Sequence, residues 1–329
     1  MDVQHGSRMV VSSYEESPTT ARFRRALPIL TVHHRTTYRY RRPVAFGEHR
    51  MMLRPRDSQD QQGIGATLDI QPVPASLTWT QDVFGNTVGT ARFQGRAREL
   101  SFNSTFTLRH EVTEPAGIEL EDHARTHPFS YAPDDMADLL RCIERHYPDP
   151  NRAVDAWARS FRADGAADTL GLLSAMTARI RRQFTYRARH EPGIQPPVTT
   201  LHLGTGTCRD FAVLMMEAVR CLGLAARFVS GYIYVPGRDQ LGAENRGGGN
   251  THAWLQVFLP GAGWVEFDPT NGIVGTRDLI RVAAVRDPRQ AVPLSGSWSG
   301  AAGDCLGMEV AIRVTSDDDG HRARPTLTA

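Results

Sequence analysis

Gly204-Thr205-Gly206-Thr207-Cys208-Arg209-Asp210-Phe211 is the stretch on which the reading of this chain turns. Thr207 is a residue type that caps helix N-termini, and Asp210 completes a capping box with a shorter acid than the usual glutamate. The residues that follow (Phe211, Leu214, Met215, Ala218, Val219, Cys221, Leu222) are apolar nearly all round, which predicts a buried central helix over 208–222 closed by Gly223. Cys208 then stands in the first turn, where unpaired N–H groups and the helix dipole favour a thiolate at neutral pH. The preceding glycines let a substrate backbone approach the sulfur closely. Alone, such a cysteine reads more simply as a small packed hydrophobe.

Two further stretches change that balance. Asn250-Thr251-His252-Ala253-Trp254 opens an alternating segment, so His252 falls near a strand start. Gly263-Trp264-Val265-Glu266-Phe267-Asp268-Pro269-Thr270 is a strand that Asp268 ends. In isolation the histidine is a polar residue at a strand end, and Asp-Pro-Thr is a turn. Together they form a hairpin whose two ends lie side by side, so imidazole and carboxylate can meet. Packing that hairpin on the cysteine helix brings the thiol within reach. A thiol, a base and an orienting acid in this relation form a nucleophilic triad.

The rest of the chain supplies context. Its 329 residues allow two domains, and an apolar share of 40% with 22% charged is ordinary for a soluble globular protein. A formal net charge of +2, with arginines scattered rather than clustered, points to neither nucleic acid nor an anionic membrane. Four irregularly spaced cysteines suggest reduced thiols, and the first thirty residues lack a signal-peptide core. A soluble, cytoplasmic protein is expected, with the oligomeric state open.

Four regions are expected. Residues 1–28 read as a disordered leader and 316–329 as a disordered tail. Residues 29–115 form a β-rich domain, with short alternating segments at 31–34, 36–40, 67–70, 77–79, 87–93 and 101–108. Their spacing suggests an antiparallel β-sandwich or a curved sheet. Residues 116–315 form the core. There, helical periodicity appears in Met136, Leu139, Leu140 and Ile143; in Val154, Trp157, Ala158 and Phe161; and in Leu172, Leu173, Met176, Ile180 and Phe184. Strands at 226–234, 251–258 and 264–268 follow, with a flexible glycine-rich loop at 237–249 and a last strand at 308–315.

Cys208-Arg209-Asp210-Phe211, the run 220–232, Thr251-His252-Ala253-Trp254 and Trp264-Val265-Glu266-Phe267-Asp268-Pro269-Thr270-Asn271-Gly272 resemble the core of the bacterial transglutaminase-like superfamily. The N-terminal part, through Tyr38-Arg39-Tyr40, Pro43-Val44, Leu53-Arg54-Pro55-Arg56, Trp79 and Asp82-Val83-Phe84-Gly85-Asn86, is similar to the domain that precedes this core in many bacterial members. The resemblance spans about 30–315. It implies an α+β chain whose catalytic half is papain-like, with helices packed on an antiparallel sheet. Within it Cys208 is the nucleophile, His252 the general base and acid, and Asp268 the residue that supports the imidazolium. Two departures stand out. The Gly-Gly-Gly-Asn-Thr approach to the histidine differs from the acidic approach of relatives, and the calcium-site loops of animal transglutaminases are missing. No cofactor or metal is expected: Cys142 with His146, and His33 with His34, are too few and unlinked.

The expected chemistry is acyl transfer on a protein or peptide amide, through a thioester. Hydrolysis by a protease or amidase is favoured over lysine crosslinking, since bacterial relatives lean that way. Tyr186 or a backbone group upstream is a candidate for the second oxyanion donor, Trp254 for a pocket wall or the core, and Asp210 for a helix cap or an arginine pair. A non-catalytic protein-binding scaffold is the rival from another class. A redox pair of Cys208 and Cys221, thirteen residues apart on one helix, is geometrically implausible.

Overall fold

Segments 31–34 and 36–40, expected as separate strands, belong to one strand of 23 residues, Ile29–Met51. The computed structural model describes residues 28–162, 167–189, 193–235 and 251–317. The leader, the glycine-rich loop at 237–249 and the tail beyond 317 lie outside the described residues. Register shifts between Arg39 and Val44, and between Phe46 and His49, break the long strand's ladders. Such bulges bend a strand and deepen its twist. Its first part pairs with Arg96–His110 and Cys305–Ser316, and its second with Thr87–Arg92 and Leu294–Ser299.

The result is a curved, wholly antiparallel sheet of seven strands. Its path runs Gln61–Gln71, Arg96–His110, Ile29–Met51, Thr87–Arg92, Ser76–Gln81, with the two C-terminal strands also on Ile29–Met51. Their placement corrects one detail of the sequence division, which assigned 308–315 to the core. The ladder from Leu30 opposite Ser316 to Tyr40 opposite Cys305 puts Cys305–Ser316 on the N-terminal sheet. The reason is apolar: Val310, Ile312 and Val314 pack with Leu30 and Val32. Leu294–Ser299 (LSGSWS) alternates, but three serines and a glycine leave only Leu294 and Trp298 as apolar markers, too few to announce a strand.

Among the described residues five α-helices follow the β-rich region: α1 (Pro133–Ile143), α2 (Ala153–Arg159), α3 (Thr169–Gln183), α4 (Pro197–Leu203) and α5 (Cys208–Cys221). The expected apolar positions Val154, Ala158, Leu172, Leu173, Met176 and Ile180 are all buried. Helix α5 is buried at every position from Asp210 to Arg220, and Gly223 follows it with φ +82°, the left-handed conformation that a helix-ending glycine supplies. An antiparallel sheet of five strands carries these helices, in the order Ile273–Val274, Gly263–Asp268, His252–Leu259, Ala226–Ile233, Leu279–Val285. Ala253, Leu255, Val257 and Leu259 share the apolar cluster of α5, while Trp254 belongs to a separate cluster with Val229 and Ile233. That alternation is the two-residue period of a sheet buried on both faces.

The two sheets meet through Leu30, Val32, Phe106 and Leu108 against Tyr232, Ile280 and Val282. His34 Nδ1 lies 2.7 Å from the Tyr232 hydroxyl across this junction, with both groups buried. No helix among the described residues is long and apolar enough to cross a membrane.

Close approach dictates one residue of the core sheet. Gly231 lies opposite both His252 and Arg281, and a Cβ there would overlap the Ile280 carbonyl and come within 2.7 Å of the Trp254 ring. Gly231→Ala is therefore expected to lower stability by ~1–3 kcal/mol, as overpacking does, with a lower midpoint in urea unfolding. An unchanged midpoint would show that the sheet can relax around the methyl group.

Candidate active site

The sequence between Thr205 and Asp210 fixes the cysteine from two directions. Thr205–Gly206 pairs in parallel with Thr185–Tyr186, placing Tyr186 opposite Gly206 and beside the start of α5. Asp210 reaches back to the Thr207 N–H at 2.8 Å, the expected cap, and also accepts from the Gln195 N–H at 2.8 Å. Arg189 grips the same carboxylate with both arms, Nε to Oδ2 at 2.8 Å and Nη2 to Oδ1 at 3.0 Å. Burial works against this carboxyl's charge, but those bonds outweigh it and hold its pKa below the usual range. Asp210 thus both caps the helix and pairs with an arginine, and Cys208 is held, 6% exposed, at the first helical position. Neither Arg189 nor Gln195 was legible, because their loop carries no periodic signal.

His252 and Asp268 meet as the hairpin requires. Strands His252–Leu259 and Gly263–Asp268 pair with Leu255 opposite Phe267, which brings the strand start and strand end together. The imidazole Nε2 lies 2.8 Å from Asp268 Oδ2, and both side chains are wholly buried. An ionised carboxylate only accepts, so Nε2 carries the proton. Asp268 also accepts from the Thr270 N–H at 2.8 Å and from Asn271 Nδ2 at 2.7 Å. Asn271 stands in the motif that follows the aspartate, but only the turn geometry reveals its role.

Burial alone would keep the imidazole neutral. The charge of Asp268, its hydrogen bond and the Cys208 side chain overcome that and push the His252 pKa up to about 10. For Asp268, burial is again opposed and outweighed, by His252 and by bonds from Asn271 and Thr270, so its carboxyl stays below the usual range. The other ring nitrogen, Nδ1, makes no bond of normal geometry within the protein and is the one left for the sulfur. Cys208, His252 and Asp268 are therefore one constellation. The Tyr186 hydroxyl also lies close to the Cys208 side chain. Burial, followed by the nearby Cys208 and Asp210, pushes its pKa up to about 12, so it remains a neutral donor.

Of the two places expected for it, core or pocket wall, Trp254 takes the core. It is fully buried, its ring stacked on His252 at 5.8 Å between centroids and 28° between planes, because it shares a strand face with the histidine two residues away. A cleft of about 790 Å³, lined in part by Arg56, Asp60, Arg227, Trp264 and Glu266, opens between the first sheet's loop and the hairpin, and the constellation does not line it. Among the described residues no group of three or more His, Cys, Asp and Glu side chains is arranged to hold a metal ion.

Residues 155–269 match the transglutaminase-like superfamily and residues 30–109 the bacterial transglutaminase-like N-terminal region. The chain is 30% identical to the uncharacterised protein ML0607 of Mycobacterium leprae, over 86% of this chain and 98% of that one. It is 28% identical over 135 residues to a protein-glutamine gamma-glutamyltransferase of Pseudomonas aeruginosa, covering 35% of this chain and 19% of that protein. A candidate cysteine protease from Cytophaga hutchinsonii, 19% identical, shares the fold with a TM-score of 0.65 over 89% of this chain and 91% of its own. The chain belongs to the transglutaminase-like superfamily, a class of generally cysteine-dependent enzymes, in the form that carries the bacterial N-terminal region.

The pair's electrostatics predict a pH signature. Because His252 moves up from 6.5 to about 10 on folding, its contribution to stability is complete below pH 6.5 and is lost as pH rises towards 10. The Asp268 contribution is present above its unfolded value of 3.8 and is lost in acid. The difference in Tm between the native protein and Asp268→Asn should shrink as pH rises through that upper window. A constant difference would mean that the imidazole is not held charged.

Proposed function

We propose that this protein is a cysteine acyl-transfer enzyme acting on protein or peptide amides, and that hydrolysis is its main outcome. Cys208 attacks the amide carbonyl, and the S–C bond forms as the carbonyl π electrons move to oxygen. His252, as imidazolium, gives its Nδ1 proton to the departing amine or ammonia when the C–N bond breaks, leaving a thioester on Cys208. Neutral His252 then takes a proton from water, the hydroxide adds to the thioester, and the carboxylic acid leaves as the thiol is restored. Asp268 holds the ring and stabilises its charge.

One observation carries this reading: a buried imidazole whose Nε2 is fixed at 2.8 Å to a carboxylate while its Nδ1 is left for the Cys208 sulfur at a helix start. The Cys208 backbone N–H and the Tyr186 hydroxyl are the donors we assign to the oxyanion. Hydrolysis asks least of the site, since water needs no pocket, whereas transfer to an amine needs a channel to the thioester. The candidate protease from Cytophaga hutchinsonii favours the same choice. Glutamine-to-lysine transfer is the second reading, supported by the Pseudomonas aeruginosa glutamyltransferase over its 135 matched residues.

Casein incubated with the protein, with and without an added primary amine, separates these readings. New N-termini mean a protease, ammonia release without amine uptake means an amidase, and incorporated amine means a transferase. The thiol itself is tested with iodoacetamide at pH 6. Cys208 should be labelled faster than the exposed Cys305, and Cys142 and Cys221, whose thiols burial pushes up, should lag furthest. His252→Ala should reduce the Cys208 rate at least ~10-fold. Labelling no faster at Cys208 than at Cys305 would leave only a binding scaffold.

A further inference from the structure

Trp254, Glu266 and Arg281 take no part in the acyl transfer above, yet they form a continuous polar chain that ends on its imidazole. Glu266 is buried on the hairpin strand opposite Gln256, and burial raises its carboxyl pKa against the pull of Arg281. Its Oε2 accepts the Trp254 indole N–H at 2.5 Å. Its Oε1 accepts from Gln256 Nε2 at 2.6 Å and from Arg281 Nη1. The second arm of Arg281 leaves the core sheet altogether: Nη2 donates to Asp60 Oδ1 at 2.8 Å and to Ser58 Oγ at 3.0 Å, both on the N-terminal domain. Gln61, which opens the strand that follows them, pairs with the Arg281 backbone, accepting its N–H at 2.7 Å and donating to its carbonyl at 2.9 Å.

The catalytic end of this chain needs a second support. The hydrogen bond from Nε2 to Asp268 fixes one point of the His252 ring and leaves rotation about that bond open. A flat contact on the ring face removes that freedom, and Trp254 supplies one at 28° between planes. An indole held only by apolar packing can slide, whereas one tied through its N–H to a buried carboxylate cannot. The carboxylate is in turn fixed by a guanidinium anchored in the other domain. We infer that the N-terminal domain, through Asp60, Arg281, Glu266 and Trp254, sets the angle at which His252 presents Nδ1 to Cys208. These four are positioning residues, and the inference rests on the acyl-transfer reading given above.

The groups around the two ends are accounted for. His252 faces Cys208 and Asp268, with Asn271 on its own hairpin and Tyr186 across the cysteine. Glu266 faces Arg281 and Asp60, with Arg227 behind Gln256, its Nε donating to Gln256 Oε1 at 2.6 Å.

The test uses the full chain and follows Cys208 alkylation by iodoacetamide from pH 5 to 10, beside thermal unfolding. Trp254→Phe keeps the ring but loses the N–H, and Glu266→Gln keeps the shape but loses the charge. Each should slow alkylation at neutral pH by ~10-fold, as a misplaced reacting group does, and move the half-maximal pH upward. Gln61→Ala, which loosens domain docking but leaves the chain intact, should lower Tm with that pH unmoved. Should Glu266→Gln not fold, Asp60→Asn at the outer end carries the same expectation. A native protein with selective Cys208 labelling, and variants that keep its rate and pH profile, would overturn this inference alone. Absence of selective labelling in the native protein would overturn the catalytic reading, and this one with it.

Discussion

A charged imidazole cannot be buried alone, and the structure around Cys208 is organised by that constraint. Taking His252 out of water costs several kcal/mol in its ionised form unless an opposite charge lies within bonding distance. Asp268 provides it at 2.8 Å, and the turn after the strand provides the carboxylate's remaining partners, the Thr270 N–H and Asn271 Nδ2. The hairpin exists in this register because only this register puts the strand start and strand end together. A one-residue slip would turn either side chain to the opposite face.

The sulfur is held by an independent device. The Asp210 carboxylate collects Arg189, Gln195 and Thr207, tying the loop before α4 to the first turn of α5. Since α5 is buried along nearly its whole length, it cannot shift without disturbing the core. Two rigid supports therefore meet, one for the nucleophile and one for the base. Such preorganisation is what a site needs if charge is to appear and disappear within it without rearrangement.

Much of this was legible in the chain. The capping residues around Cys208, the all-round apolar helix and the alternating strands announced the layout, because each is a local pattern with a local cause. The first part of the curved sheet's long strand was read as two, because the exposed, charged Arg35 interrupts its β-branched and aromatic run although the pairing passes through it unbroken. Strand Leu294–Ser299 was missed because its polar residues owe their pairing to Ile29–Met51 rather than to their own propensity. For Trp254 the sequence left core and pocket wall open, and only packing shows it buried behind the histidine. The links from Asp60 and Gln61 to Arg281 join residues more than two hundred positions apart, beyond any local signal. Their discovery gives the N-terminal region of this transglutaminase-like chain a physical connection to the candidate site.

The central claim is that a carboxylate keeps the buried imidazole protonated. Nitrogen-15 NMR of the His252 ring, followed through a pH titration, reads this directly. The ring should remain doubly protonated at pH 7 and titrate near 10. A ring that is neutral at pH 7, or that titrates near the ordinary value of 6.5, would contradict it.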